Sequence, residues 1–510
     1  VDPLALEREG LALKAAGRLN EAAAVFSRLV QLTPQAHGAH YNLGNTLLAA
    51  KRPAEAIEAY RRAVRLAPRF APAHNNLGLA LIAAGQPGLA VGPLTRAAAL
   101  DPANIGTQHL AGHALLQSGR PDEALVYLRE ADRLAPGQPA ITTDLAAALR
   151  RTGRFADVAP LARQAARAAP QLVEVWNNLA NAERDACCFA AAEAASRHAL
   201  TLQPENADAH CNLALTLLAA GDYAAAWPHW EYRWRGLVGS RPPVAGPLWD
   251  GALMGDGILY LHAEQGLGDT IQFCRYAPMA ARRGRVVLAV QRPLLRLMRG
   301  LTMDAVVVAT GDAVPLFAAQ APLMSLPGAF GTTLATVPAE VPYLHAEPAR
   351  AAAWAARLAV LPGLRVGLVW AGNPDFQFDA LRSIAPAMLN GLGDVPGVSF
   401  VSLQVGTAAS GARPGLAIAD WTAELNDFAE TAALIAGLDL VIGVDTAAVH
   451  LAGALGRRVW LLNRFAGDWR WGMQGDGCAW YPTLRVFRQA APGEWGAVLA
   501  AVRAALYSFH

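Results

Sequence analysis

Charged side chains are scarce in this sequence: Asp, Glu, Lys and Arg make up 16% of 510 residues, and 43 basic against 41 acidic groups leave a formal charge of +2. A chain so balanced carries no basic stripe able to neutralise a phosphate backbone, which argues against nucleic acid as its main partner. Cysteine is sparse too. The five, at 187, 188, 211, 274 and 478, show neither metal spacing nor a framework pattern, so reduced thiols in a cytoplasmic protein are expected. Long apolar runs are missing as well: the longest, such as 366–372 and 432–444, are broken by Gly or Asp and fall short of a bilayer span. No transmembrane helix is expected, and the first residues show no secretory signal. What is abundant is hydrophobic residues, at 54%, which argues against disorder, in a length that suits about three domains with large cores.

Proline recurs at 34, 68, 102, 136, 170 and 204, a step of 34 residues that is the period of a helix-turn-helix repeat. The same step runs through a turn position, Gly17, Lys51, Gly85, Gly119, Gly153, Cys187 and Gly221, and through Ala22, Ala56, Ala90, Ala124, Ala192 and Ala226 five residues later. Small residues at 44, 78, 112, 146, 180 and 214 fall where paired helices must approach closely. Seven hairpins follow, and over about residues 4–235 the pattern resembles a tetratricopeptide array. Two residues before each small position stand Asn42, Asn76, Leu110, Asp144, Asn178 and Asn212. An amide both donates and accepts, so such a row suits the main chain of an extended peptide. It resembles the asparagine ladder of the protein O-linked GlcNAc transferases, with Leu110 and Asp144 as interruptions. The alternative is that these amides bond within or between hairpins.

The aromatic cluster Trp227, Trp230, Tyr232 and Trp234 reads as a helix sealing the open end of the repeats rather than as a sugar platform. Proline and glycine at 239–247 mark a linker, giving expected boundaries of 1–238 for the repeats with their capping helix and 239–254 for the linker.

Beyond it, strands and helices alternate. A β-run at 258–262 meets the turn Gln265, Gly266, Gly268 and then a helical stretch, which puts Asp269 at the carboxyl end of a strand and the mouth of a helix, where open α/β sheets bind ligands. Asp269 is either a functional carboxylate or simply an N-cap. A dinucleotide fingerprint needs a glycine at 271, which is Ile. A second unit begins with a strand at 366–370 and a loop through Gly372, Asn373 and Pro374. Later, a buried strand at 440–444 runs into a helix starting at Asp445, so the free amides of Thr446, Ala447 and Ala448 make an anion site, with His450 facing the same region.

"QGLGDT", "LVWAGNP", "RSI" and "IGVDTAAVHLAGALG", in this order and spacing, resemble the heptosyltransferase-like branch of GT-B glycosyltransferases in the form found fused behind tetratricopeptide arrays in bacteria. The resemblance covers about 255–490. It implies two facing Rossmann-like domains, 255–345 on the acceptor side and 346–510 binding a nucleotide sugar, and an inverting transfer that needs neither metal nor cofactor beyond that co-substrate. It implies Asp269 as the catalytic base, Asp445, Thr446, Ala447, Ala448 and His450 as the phosphate site, and Arg382 and Ser383 as a basic segment near the phosphates, with Asn373 in the adjoining loop. Arg382 and His450 are expected to supply positive potential at the departing phosphate.

The fold expected is therefore an all-α solenoid followed by a pair of Rossmann-like domains. The function expected is a cytoplasmic glycosyltransferase that holds a protein along Asn42, Asn76, Asn178 and Asn212 and modifies its Ser or Thr, the nearest resemblance in function being to bacterial flagellin-modifying enzymes. A scaffold with an inactive α/β region and a transferase for cell-envelope glycans are the competing readings.

Overall fold

A computed structural model of the chain describes residues 2–235, 244, 246–301, 303–374, 379–406 and 414–509. The chain forms two compact units, Val1–Asn178 and Leu179–His510, with the division falling inside the helix Val173–Asp185.

The first unit is a succession of antiparallel helical hairpins. Its second helices repeat in register as Leu19–Leu32, Pro53–Leu66, Pro87–Leu100, Pro121–Leu134 and Phe155–Ala168. The periodic turn residue is what makes each hairpin possible. Gly17, Gly85, Gly119 and Gly153 lie at φ near +73°, and Lys51 takes the same left-handed conformation at +57°. That geometry ends a helix by bringing the next amides back onto its last carbonyls, as Arg18 does to Leu13 at 2.9 Å. The small positions are steric: a Cβ on Gly44 would lie 2.6 Å from the Tyr60 ring, on Gly78 2.3 Å from Leu94, and on Gly112 2.4 Å from Leu128.

Most of the periodic prolines also have a partner six residues on. The carbonyl of Pro34 bonds His40 at 3.1 Å, that of Pro68 bonds His74 at 3.0 Å, and that of Pro102 accepts from Gln108 at 3.0 Å. Thr142, at the same position of the next repeat, leaves its buried Oγ1 without a partner. In the second unit His210 makes the same bond to Pro204 at 2.8 Å. These contacts join the loop to the next helix and are not visible in the spacing of prolines alone.

The second unit opens with helices Phe189–Leu202, Ala207–Ala220 and Tyr223–Trp230 and continues as α/β structure. Strands β1 (Ile258–His262), β2 (Arg285–Val290), β3 (Ala305–Ala309) and β4 (Ala319–Pro322) form a parallel sheet in the order β3-β2-β1-β4. Strands β5 (Leu364–Val369), β6 (Val398–Ser402), β7 (Ile418–Ala419), β8 (Leu440–Val444), β9 (Val459–Asn463) and β10 (Leu484–Arg488) form a second, in the order β10-β9-β8-β5-β6-β7. All strand pairs in both are parallel. Five consecutive buried residues in each of β8 and β9 are the signature of strands covered on both faces. One face of the second sheet is covered by the helix Trp495–Tyr507, which brings Trp495, Val498, Leu499, Val502 and Leu506 to it at helical spacing. The strand order reverses beside β1 in the first sheet and between β5 and β8 in the second, which places the ligand crevices of this topology at the carboxyl ends of those strands.

Within this unit the aromatic cluster is a seal. Trp227, Trp230 and Trp234 are buried, and the first two donate their indole N–H to the carbonyls of Thr332 at 2.7 Å and Met324 at 3.2 Å. Arg233, fully buried, grips Glu264 with two bonds of 2.9 Å. The linker expected at 239–254 lies outside the described residues at 236–243 and 245. From 247 onward the chain is packed: Leu248 bridges Gln320 of β4, Trp249 donates its amide to the Gln320 carbonyl at 2.8 Å, and its side chain is buried.

Candidate functional site

The turn after β1 leads into the helix Leu267–Phe273. Its third residue, Asp269, reaches back so that Oδ2 accepts the Gly266 amide at 3.0 Å, the side-chain half of a capping box. Asp269 thus does the N-terminal capping work open to an aspartate at such a turn. Its second oxygen points elsewhere: Oδ1 accepts from Arg470 Nη2 at 2.8 Å. The Gln265 carbonyl accepts from Gln291 Nε2 at 2.9 Å, and Gln291 in turn accepts from Thr270 Oγ1 at 2.9 Å, which fixes the turn.

In the second sheet the helix after β8 is Ala447–Ala454, two residues later than the sequence suggests, because Asp445 and Thr446 remain outside it and Thr446 stays extended as the N-cap. Thr446 makes no side-chain cap, and its buried Oγ1 has no partner. The first amides of the helix therefore keep the orphan status that makes a helix mouth receptive to anions. The two helix mouths meet: a Cβ on Gly268 would lie 2.9 Å from His450 Cδ2, so the glycine is what lets the Asp269 turn rest on the Ala447–Ala454 helix.

The loop after β5 closes a third side. Arg382 donates Nη1 to the Asp445 carbonyl at 3.0 Å and Nε to Asp379 at 2.8 Å. Ser383 accepts the Gly372 amide at 3.0 Å and donates to Asp379 at 2.7 Å, so it shapes the loop. Asn373 is exposed in the same loop. The structure thus brings Asp269, Gly266, Gly268, Arg382, Asp445, Thr446, Ala447, Ala448 and His450 to one place, with Ser383 one layer behind.

His450 does not have the charge expected of it. It is buried, its Nδ1 lies 2.9 Å from the Tyr481 hydroxyl, and its ring centroid is 4.6 Å from that of Trp471. Burial, with the Arg470 guanidinium adding to it, pushes its pKa down to about 3, so the ring is neutral near pH 7. The cation here is Arg470, which the sequence reading did not single out. It sits on the 3₁₀ turn Trp469–Trp471 after β9, anchored by Asp468 Oδ1 at 2.9 Å. A signal was present in "DWRW": an Asp and an Arg two apart, flanked by tryptophans, just beyond a buried strand.

The carboxylates divide by environment. Burial raises the pKa of Asp269, with Arg470 working against it. Burial and the nearby Asp468 raise Asp445, opposed by Arg382. Asp468 is equally subject to burial, but Arg470 outweighs it and holds that carboxyl below its usual range.

The ladder residues bond between repeats. Asn42 donates to Glu7 at 3.2 Å, Asn76 to Asn45 at 2.7 Å and to Tyr41 at 3.2 Å, and Asn178 to Thr143 at 2.8 Å. In the second unit Asn212 accepts from Arg184 at 3.3 Å. Asp144, the interruption, accepts from His109 at 2.9 Å and His113 at 2.8 Å on one oxygen. Among the described residues no helix is long and apolar enough to cross a membrane.

Tetratricopeptide repeat families match residues 7–69, 115–182 and 196–227, and glycosyltransferase family 9 (heptosyltransferase) matches 421–462, the stretch holding β8 and the Ala447–Ala454 helix. Protein FlbA of Caulobacter vibrioides is 29% identical over 326 residues, 58% of this chain and 54% of FlbA, so the match spans about half of that curated relative. Among solved structures, YrrB, a TPR protein with an unusual peptide-binding site, is 21% identical over 34% of this chain and 90% of its own, with a TM-score of 0.32. PilF of Pseudomonas aeruginosa is 20% identical over 41% of this chain and 94% of its own, with a TM-score of 0.34. The chain joins tetratricopeptide repeats to an α/β region similar to glycosyltransferase family 9.

Proposed function

We propose that this protein is an inverting, metal-independent glycosyltransferase that takes a sugar from a nucleotide donor and places it on a Ser or Thr hydroxyl of a protein, flagellin being the candidate acceptor. The observation that carries the reading is the meeting of two helix mouths: a carboxylate with a raised pKa at the end of β1 rests, through Gly268 and His450, on an anion-receptive helix at the end of β8. Sugar transfer needs both, a base for the acceptor proton and a stabiliser for the leaving phosphate.

In the reaction proposed, the acceptor oxygen forms its bond to the anomeric carbon while that carbon's bond to the phosphate oxygen breaks. The acceptor proton passes to Asp269, and the electron pair leaves with the phosphate. The amides of Ala447 and Ala448, the Thr446 hydroxyl and the Arg382 guanidinium meet the charge that develops there. A neutral His450 buttresses the turn that carries Asp269 rather than donating charge. The repeats bind the protein acceptor. An amide that donates to a neighbouring repeat still has lone-pair capacity on its oxygen for a bound main chain, so Asn42, Asn76 and Asn178 serve both roles, Asn76 with one lone pair already taken by Asn75 at 3.1 Å.

Calorimetric titration of the full chain with UDP, ADP, CMP and their common sugar conjugates tests the site. Saturable binding of at least one, weakened about tenfold or more in Arg382→Ala, which is roughly 1.4 kcal/mol, is the expected result. No binding of any of them contradicts the enzyme reading and favours a scaffold.

A further inference from the structure

Among the described residues, Arg470 is the one that touches the Asp269 carboxylate after β1 while belonging to a loop of the second sheet. Nη2 reaches Asp269 Oδ1 at 2.8 Å and Nη1 reaches Asp468 Oδ1 at 2.9 Å, with the Arg470 amide donating to the same Asp468 oxygen at 3.0 Å. The side chain is 8% exposed. Its guanidinium lies 4.6 Å from the Trp469 ring and 5.5 Å from Phe273. Trp469 is in turn packed edge-on against Tyr223, Trp227 and Trp480, so the turn that carries the arginine is pinned from behind. Its buried Nε has no partner.

We propose that Arg470 is the positioning residue of this site: anchored by Asp468, its guanidinium clamps Asp269 at the helix mouth and fixes the carboxylate that receives the acceptor proton. The inference rests on Asp269 being the base.

An ionised carboxylate has about four lone-pair directions. Asp269 gives one to Gly266 and one to Arg470, which orients it without closing it to an incoming hydroxyl. A planar fork fixed at both prongs is suited to this, where a lysine would supply only a point charge. The charges around Asp269 are those of Arg470 and Asp468, with Asp445 and Arg382 beyond them and a neutral His450 against Gly268. Asp468 opposes ionisation of Asp269 and Arg470 favours it, so the arginine works against the burial that raises this carboxyl.

The test needs no sugar donor. In full-length protein labelled at aspartate Cγ with ¹³C, the resonance that disappears in Asp269→Asn belongs to Asp269, and its titration midpoint is followed in native protein, Arg470→Gln and Arg470→Lys. Arg470→Gln is expected to move the midpoint upward by about 1–3 pH units, the size of an adjacent arginine's effect. Arg470→Lys is expected to return it partway. An unchanged midpoint in a folded Arg470→Gln overturns the proposal. If that variant does not fold, Arg470→Lys carries the test, since losing the fork still shifts the midpoint upward, and no shift overturns the proposal. The base reading fails separately, through a sugar transfer that survives in Asp269→Asn.

Discussion

At the scale of single residues, two glycines of the same hairpin make opposite physical demands. Gly78 has no special backbone angle, but a Cβ there would lie 2.3 Å from Leu94. Gly85 has open space around it and a φ of +72°. Gly78→Ala is therefore expected to destabilise the protein by overpacking, about 1–3 kcal/mol, and Gly85→Ala by left-handed strain alone, about 1–2 kcal/mol. Adding Leu94→Ala to each tells them apart in urea unfolding: the second change should relieve the cost of the first glycine variant and leave that of the other untouched. Asp269 gives a residue-scale prediction in pH. A base works only when deprotonated, and burial raises this carboxyl, so the acid limb of kcat/KM should lie above the usual aspartate value of about 3.9. A limb at or below that value, measured with any active donor, contradicts the environment described for Asp269. Asp269 and Thr446 were legible because a strand, a glycine turn and a helix announce their position. Arg470 was not, because an irregular loop acquires its partner, 201 residues away in sequence, only through the fold. The neutrality of His450 was equally hidden, since it follows from burial beside an arginine.

At the scale of elements, the 34-residue period was legible because it marks backbone geometry that side-chain chemistry alone can meet: left-handed turns and close helix contacts. The proline-carbonyl bonds of His40, His74 and Gln108 share the period, yet both histidine and glutamine make them, so no single letter marks the position. The ladder was legible as a row of amides, but its bonds to neighbouring repeats were one of two readings and needed the structure. Its interruption is a charged knot. Burial works against Asp144, but His109 and His113 prevail and bring its pKa down to about 2, while the bond to Asp144 raises that of His113. The depressed carboxyl stabilises the fold above its unfolded value of about 3.9 and loses that contribution as pH falls; the raised imidazole stabilises below about 6.5 and loses it as pH rises. The knot is therefore strongest between about pH 4 and 6.5. Asp144→Asn should cost about 1 kcal/mol near pH 5.5 and clearly less near pH 8.5, read as the difference in Tm from native protein at the two values. An equal loss at both would show that the histidine charge has no part in it.

At the scale of the molecule, the aromatic helix that ends the repeats is part of the second unit's core. Arg233 and Glu264 are both buried, and Glu264 also accepts the Met324 amide at 3.1 Å. Removing one partner leaves a charge stranded in the interior, so Glu264→Gln is expected to destabilise the unit by about 3–5 kcal/mol, visible as a lower urea midpoint. A change within experimental error would mean that this docking does not depend on the pair. The α/β topology was legible from the order of strands, glycine turns and helices, while the packing of 247–254 against the first sheet was not, because proline and glycine at 239–247 read as linker whether or not the following chain docks. The central claim, a protein-modifying glycosyltransferase, joins the repeats' capacity for a protein to the chemistry of Asp269. Intact-mass spectrometry tests it most directly: flagellin from the same source is incubated with a panel of nucleotide sugars and either native protein or Asp269→Asn. A sugar-sized mass gain with native protein that is lost with Asp269→Asn is the predicted result. No gain with any donor while flagellin still binds, or a gain that persists in Asp269→Asn, would contradict it.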